Sequence, residues 1–289
     1  MNIEHILQKA MALSKTNWVH AYHLLTSAEE EHPDDIRVQT TMADLHFFRL
    51  QYKQAIKHYL KALSSDPGNI RTIQAIASCY MANNEYRLAL AYFKRIPKPT
   101  DDVLYNTGYL CAILGRHKEC ITIMQDLLIR LPNHPFVYYV LIEQYFEQGQ
   151  HDEALRYTKM AQQKAGKQQQ LYLLAALVYS SKELWLPVYY SYQQAQTMGE
   201  ISNIDHYLRY ANAASVIGFP ERAVSILLQA EQKWPYVGDV YTMLLRLMIK
   251  RKDYKQAKQV VSRARKNLKK LPSTILLLIE RMKIETEKE

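Results

Sequence analysis

Small and large apolar residues recur along the chain at fixed spacings, which we call the repeat frame. Within residues 52–67, the small residue Ala55 is followed by an aromatic residue four positions later, a second small residue three later, and a proline five later. The spacing between equivalent positions is 34 or 35 residues at every step except one of 31. This period predicts an array of helical repeats. The first small or tight position falls at Ala21, Ala55, Ala89, Cys120, Ala154, Val188, Ala223 and Ala257.

Three other sets of residues recur at fixed distances from this small position. Together they predict two packed helices in each unit. Helices of about 12–14 residues are marginal alone, so they must be stabilised by packing against neighbouring units. A large residue lies four positions on, at Leu25, Tyr59, Phe93, Met124, Thr158, Tyr192, Leu227 and Val261. The second small position is Ala28, Ala62, Ala161, Ala195, Ala230 and Ala264, with Ile96 and Leu127 as departures. Twelve residues before the first small position lie Ala43, Ala77, Gly108, Ala176 and Ala211, where two helices must touch closely.

This combination of positions resembles the tetratricopeptide repeat family over nearly the whole chain. The resemblance implies an all-α fold, a right-handed superhelical solenoid of about eight helix-turn-helix units with a C-terminal capping helix. We expect one domain over residues 1–289, with a closing helix whose outer edge is solvated. The expected repeats are 2–34, 36–68, 70–100, 101–134, 135–168, 169–202, 204–237 and 238–272, followed by the capping helix at 273–288.

Prolines predict two irregularities in this array. Pro187 lies inside an expected second helix, where its missing backbone donor predicts a late helix start or a kink. Residues 97–100 contain two prolines and coincide with the 31-residue step. The fourth unit is therefore expected to begin early.

Composition agrees with a helical, non-secreted protein. Glycine (8) and proline (10) are scarce, and apolar residues make up 48% of the chain, enough for a long continuous core. The N-terminus lacks a signal-peptide core, and the longest apolar run, residues 171–179, is far shorter than the roughly 20 residues of a spanning helix. Three cysteines without metal-type or redox-type spacing suit a reducing compartment. We expect a cytoplasmic protein.

No constellation of catalytic residues is recognisable. Phosphate-binding, nucleophile-elbow, Cys-x-x-Cys and His-Glu-x-x-His motifs are absent from the sequence. His20 and His23 could share a metal, but two ordinary surface histidines are the favoured interpretation, and the three cysteines read as small core residues. We expect no enzyme activity, no cofactor and no metal. Frame positions predict packing roles for Tyr59, Tyr86, Tyr92, Tyr145, Tyr157, Tyr179 and Tyr254.

The resemblance implies that the first helix of each unit lines a concave binding surface. The expected function is a non-enzymatic scaffold or adaptor that binds a peptide or helix of a partner, with exposed aromatic residues as anchors. The two-carboxylate clamp of chaperone-binding members is not made, because only Asn106 matches it. The groove candidates are Tyr105, Asn106, Tyr109, Phe136, Tyr139, Glu143, Phe146, Arg209 and Asn212. The same face of other units presents Arg37, Thr40, Asp44, Phe47, Arg71, Gln74 and Ser78.

The net charge of +9 is concentrated near the C-terminus. Residues 246–270 hold eleven basic side chains and one acid, Asp253. This strip could attract an acidic protein, an anionic surface or nucleic acid, or could simply be a solvated face. Nucleic acid is disfavoured because no aromatic stacking set interleaves with the charges, and a homo-oligomer stays open. The basic patch comprises Lys250, Arg251, Lys255, Lys258, Arg265, Lys266 and Lys269.

Overall fold

The structure, a computed structural model, describes residues 3–286, and this range contains seventeen α-helices and no strand. The all-α prediction and the division into eight helix pairs with one closing helix are confirmed. The predicted ends at Asn2, Glu287 and Lys288 lie outside the described residues. The helices are α1 (Ile3–Leu13), α2 (Trp18–Glu31), α3 (Ile36–Phe48), α4 (Tyr52–Ser65), α5 (Ile70–Ala82), α6 (Tyr86–Phe93), α7 (Asp101–Ile113), α8 (His117–Arg130), α9 (Pro135–Glu147), α10 (His151–Lys164), α11 (Gln169–Ser181), α12 (Trp185–Met198), α13 (Ile204–Val216), α14 (Pro220–Lys233), α15 (Gly238–Lys250), α16 (Tyr254–Asn267) and α17 (Ser273–Thr286).

The chain forms two compact units, Met1–Pro132 and Asn133–Glu289. Within each unit the two helices of a repeat pack against each other, and the second helix of a repeat packs against the first helix of the next. The first unit holds α1–α8 and the second holds α9–α17. The expectation of one domain over residues 1–289 stays a prediction.

The small positions of the frame explain how closely the helices approach. All eight residues at the first small position, from Ala21 to Ala257, are fully buried. Gly108 shows the constraint most clearly, because a Cβ atom there would lie 2.7 Å from Met124 Cε and 3.2 Å from Ile123 Cγ2. The sequence frame therefore identifies the points of helix contact correctly.

Side-chain caps define the starts of several first helices. Asp35, Asn69, Thr100 and Asn203 each accept a hydrogen bond from a backbone N–H in the first turn of the helix that follows. Such a cap satisfies one of the amide donors that a helix start leaves unpaired and contributes about 1 kcal/mol.

Helix α6 is the short member of the array and accounts for the 31-residue step. It ends at Phe93 after 8 residues, whereas α4 and α8 have 14 residues each. Ile96, which takes the second small position, lies in the following turn and is still buried. Pro97 and Pro99 then prevent further helix before α7 begins at Asp101.

Of the two alternatives predicted for Pro187, the late helix start is wrong and the kink stays a prediction. Helix α12 begins at Trp185, three residues before Val188, in the same frame as α4, which begins three residues before Ala55. Pro187 therefore lies in the first helical turn. Its missing donor costs nothing there, because amides of the first turn have no partner within the helix.

A residue with positive φ occupies the centre of every three-residue turn between the two helices of repeats two to eight. Glycine takes this position in three turns, but Leu50 (φ 59°), Glu183 (φ 55°) and Lys252 (φ 59°) adopt it as ordinary L-residues, which is sterically unfavourable. The positions are Leu50, Asn84, Gly115, Gly149, Glu183, Gly218 and Lys252.

Leu50→Gly is expected to stabilise the first unit by about 1 kcal/mol, because glycine removes the steric penalty at positive φ. Leu50 is 71% exposed, so its side chain contributes little packing. Chemical denaturation checks the change. Lys53→Gly, at an exposed helical position of α4, is the matched control and should instead destabilise by about 1 kcal/mol. A loss of stability in both variants would contradict the turn interpretation.

Tyrosines fill much of the interior. Tyr59, Tyr145, Tyr157 and Tyr179, all predicted to pack, are buried, whereas Tyr86, Tyr92 and Tyr254 are half-buried. The largest fully buried side chains are themselves tyrosines: Tyr138, Tyr192, Tyr210 and Tyr241.

Candidate partner-binding surfaces

A groove lies across the first helices α1, α3 and α5 of the first unit, and we call it the N-terminal groove. It consists of two adjoining cavities of about 400 Å³ and 450 Å³, in the size range of ligand-binding clefts. The structure brings together here all seven first-helix residues expected from repeats two and three. The lining comprises Leu7, Met11, Ile36, Arg37, Thr40, Thr41, Asp44, Phe47, Phe48, Tyr59, Asn69, Arg71, Thr72, Gln74, Ala75 and Ser78.

Charged groups in the N-terminal groove differ in how far they are already neutralised. Asp44 accepts a hydrogen bond from the Tyr59 hydroxyl, and burial together with this carboxylate raises the pKa of Tyr59. Arg37 forms an ion pair with Asp35 at 2.7 Å and lowers the pKa of that carboxyl. Arg71 is exposed and has no ion-pair partner within residues 3–286. It is therefore the cation in this groove best placed to meet a carboxylate.

The apolar part of the N-terminal groove includes residues that sequence reasoning missed. Leu7 and Met11 contribute from α1. The signal that could have found them is their spacing of four residues, which places both on one face of a helix. With Phe47 they form an apolar surface beside Asp44 and Arg71.

On α7, the predicted residues Tyr105, Asn106 and Tyr109 form a small surface within the first unit. The two tyrosine rings stack with centroids 6.2 Å apart and an interplanar angle of 7°. Tyr109 is 42% exposed, while Tyr105 and Asn106 are half-buried. The stacked rings can therefore offer an aromatic edge to a partner.

On α9, the predicted residues form a separate surface at the start of the second unit. Phe136 is 56% exposed, and Tyr139 and Phe146 are half-buried. The Tyr139 hydroxyl donates to Glu143 Oε1 over 3.3 Å, and burial, followed by the nearby Glu147, raises the pKa of Glu143. All of the predicted aromatic anchors on α7 and α9 thus retain contact with solvent.

The predicted pair on α13, Arg209 and Asn212, lies at the surface of the second unit. Arg209 is exposed and Asn212 is half-buried. On the same helix, the ring of His206 meets Tyr192 with 3.1 Å between Nδ1 and the phenol oxygen. Burial, and then Arg209, lowers the pKa of His206.

The basic patch is exposed at every predicted position, but its charge is partly neutralised. Arg251 pairs with Glu221 at 3.2 Å, so its charge is not available as the sequence alone implied. Outside the predicted set, Arg263 donates to both carboxylate oxygens of buried Glu231 at 2.7 and 3.2 Å. Each of these ion pairs joins residues about 30 positions apart in the sequence, so the composition of the basic segment does not reveal them.

A second groove, the C-terminal groove, lies between α16 and α17. It has a volume of about 320 Å³ and combines two residues of the basic patch, Lys258 and Arg265, with residues of α17. Its lining comprises Lys258, Val261, Ser262, Arg265, Ile279, Met282 and Lys283.

The solvent-exposed surface of helix α17 is partly apolar. Leu276, Leu277 and Ile284 are 50%, 64% and 54% exposed. They lie beside the exposed charged residues Glu280, Arg281 and Lys283.

No group of three or more His, Cys, Asp or Glu side chains suited to a metal occurs within residues 3–286. His20 and His23 are exposed, and Cys79, Cys111 and Cys120 are buried free thiols. Burial raises the pKa of Cys79 to about 12 and that of Cys111 to about 11, so both are poor nucleophiles. In the same part of the chain, no helix has the length and apolarity needed to cross a membrane.

A protein-family model matches part of the chain. The model, described as anaphase-promoting complex, cyclosome, subunit 3, covers residues 48–127. No curated protein sequence matches the chain.

Solved structures extend the likeness over most of the chain. A tetratricopeptide repeat protein from Parabacteroides merdae is 19% identical, with a TM-score of 0.60 over 86% of this chain and 98% of its own. PilW, a type IV pilus biogenesis factor, is 21% identical with a TM-score of 0.57 over 72% and 98%. YrrB, described as a TPR protein with an unusual peptide-binding site, is 20% identical with a TM-score of 0.50 over 59% and 90%. These likenesses show the fold.

Proposed function

We propose that this chain, a protein of the tetratricopeptide repeat type, is a non-enzymatic scaffold or adaptor that holds a peptide or helix of a partner protein against its first helices. The observation that carries the proposal is the N-terminal groove, where first-helix side chains of three successive repeats line one cleft. YrrB, a similar fold, is described as having a peptide-binding site.

The chemistry of the N-terminal groove suits a peptide with one apolar anchor and one acidic side chain. Leu7, Met11 and Phe47 offer an apolar surface, which would bury an aliphatic or aromatic anchor. Arg71 would receive a carboxylate, since its guanidinium can donate two parallel hydrogen bonds. The Asp44 carboxylate, which accepts a hydrogen bond from Tyr59, would repel a second acidic side chain of the peptide.

The predicted residues on α7, α9 and α13 are further contact surfaces in this proposal. Tyr109 and Phe136 are the most exposed anchors, and each would contribute apolar area at little cost in side-chain entropy. Arg209 and Asn212 would add polar contacts on the second unit.

Arg71→Glu is expected to weaken binding of a groove peptide about tenfold, because it replaces a donor to the peptide carboxylate with a like charge. Peptides would be selected from a displayed library against the full chain and measured by fluorescence anisotropy. Arg87→Glu is the matched control: it reverses the same exposed side chain on α6 of the same repeat, outside the groove lining, and should change affinity less than about twofold.

Three results of this experiment would speak against the proposal. They are failure of the selection to yield a binding peptide, equal loss of affinity in the two arginine variants, and unchanged affinity after Met11→Ala. Circular dichroism would verify that each variant keeps its helix content.

A further inference from the structure

Helix α17 occupies the place of a first helix in the repeat frame. Ala211, Leu245 and Ile279 follow one another at intervals of 34 residues on α13, α15 and α17. Helix α17 packs against α15 and α16, as a first helix packs against the preceding repeat. Each of the eight earlier first helices is covered by its own second helix, whereas α17 has none within residues 3–286.

The side of α17 on which a second helix would pack carries Ile279. Its equivalents Ala211 and Leu245 lie twelve residues before the first small position, where the two helices of a repeat touch closely, and they are 0% and 1% exposed. Ile279 is 9% exposed and forms part of the C-terminal groove.

The C-terminal groove combines an apolar floor with cationic walls. Val261, Ile279 and Met282 form the floor, all of them buried against the core except at the groove. Lys258 and Arg265 stand on the α16 wall, seven residues apart and so on one face of that helix, and Lys283 stands on the α17 wall. Among residues 3–286, no acidic side chain lines this groove.

We propose that an acidic amphipathic helix from a partner protein docks in the C-terminal groove, in the position that a second helix takes in each repeat. Its small and large apolar residues would cover the floor, and glutamates on its flanks would meet Lys258 and Arg265. This site is independent of the N-terminal groove, so its failure would leave the proposed function untouched.

Other anionic partners fit the groove less well. The apolar floor lies recessed between two helices, where the flat surface of a bilayer does not reach. Within the part of the chain that the structure describes, the groove lining offers no aromatic ring on which a base could stack. A helix with an apolar face and acidic flanks can contact both the apolar floor and the cationic walls.

Two synthetic peptides of about 20 residues test the proposal. Both carry the small and large apolar positions of the repeat frame; one has glutamate and the other lysine at the flanking positions. Binding to the full chain is followed by fluorescence anisotropy. The glutamate peptide should bind, and the lysine peptide should bind at least tenfold more weakly.

Two double charge-reversal variants distinguish binding in the groove from attraction by the overall positive charge of α16. Lys258→Glu with Arg265→Glu should weaken the glutamate peptide at least tenfold and confer binding of the lysine peptide, which an unfolded variant could not do. Lys255→Glu with Lys266→Glu makes the same charge change on the exposed face of the same helix, outside the groove lining. It should change affinity less than threefold.

Several outcomes would overturn the proposal. One is equal weakening by the two double variants, which would indicate a diffuse charge effect. Another is absence of lysine-peptide binding by a folded Lys258→Glu/Arg265→Glu variant. A third is preference of the native chain for phosphatidylserine vesicles or a single-stranded oligonucleotide that displaces the glutamate peptide.

Discussion

Tyr192→Ala is expected to lower the free energy of unfolding of the second unit by about 4 kcal/mol, because removal of a buried aromatic side chain leaves a cavity that the surrounding helices fill only partly. Tyr192 is fully buried in the core of this unit. Its ring lies 5.6 Å from both Tyr210 and His206, so the substitution also removes two aromatic contacts. Urea denaturation would measure the total effect.

Tyr192→Phe is the matched control for this substitution. It keeps the ring and removes only the hydrogen-bonding contact of 3.1 Å to His206 Nδ1, so it should cost about 1 kcal/mol. Hydrogen exchange would locate the change, with amides of α12 and α13 losing most protection in the alanine variant. Similar losses in the two variants would show that the hydroxyl, and not the ring, stabilises this repeat.

Lowering the pH from 7 to 5 is expected to cost the first unit about 2 kcal/mol of stability through His58 alone. Burial lowers the pKa of His58 from its ordinary 6.5 to about 4 in the folded chain. The unfolded chain therefore takes up a proton first as the pH falls. The loss begins near the ordinary value and continues down to the folded pKa.

Several groups face the His58 ring and set this response. His46 stacks on it with centroids 5.4 Å apart, and Gln39 Oε1 lies 2.8 Å from its Nδ1. Glu29 lies 3.6 Å from Nδ1 and raises the pKa, whereas His46, Lys61 and Lys57 lower it with burial. The first unit thus holds a neutral imidazole, because burial outweighs the attraction of the Glu29 carboxylate.

His58→Gln is the control, since glutamine keeps a polar group beside Gln39 but does not titrate. Unfolding free energies of the two proteins would be measured between pH 7.5 and 4.5. The native chain should lose stability more steeply than the variant over this range. Parallel curves would mean that His58 does not account for the acid sensitivity of this unit.

The sequence predicts the fold well because its strongest signal, small residues at a 34-residue period, has a direct physical cause. Two helices approach closely only where side chains are small, as at Ala55 and Gly108. Departures from the frame are harder to predict. Proline usually interrupts a helix, but Pro187 lies in the first turn of α12, where it does not. Leucine rarely adopts a positive φ, so the sequence does not predict the conformation of Leu50.

The binding surfaces were less accessible to sequence reasoning. A linear pattern places Asp44 and Arg71 on first helices, but it does not show that Leu7 and Met11 of α1 complete the same cleft. It also counts Arg251 as available charge, although Glu221 neutralises it. Contacts between residues of different repeats depend on how units stack, and that information is distributed over the whole core.

The distribution of cysteines gives the chain a built-in asymmetry in thiol chemistry. All three cysteines, Cys79, Cys111 and Cys120, belong to the first compact unit and are fully shielded there. A thiol-specific reagent can modify them only after the third or fourth repeat opens. The rate of thiol modification in the native chain therefore reports local opening of the first unit and does not report opening of the second.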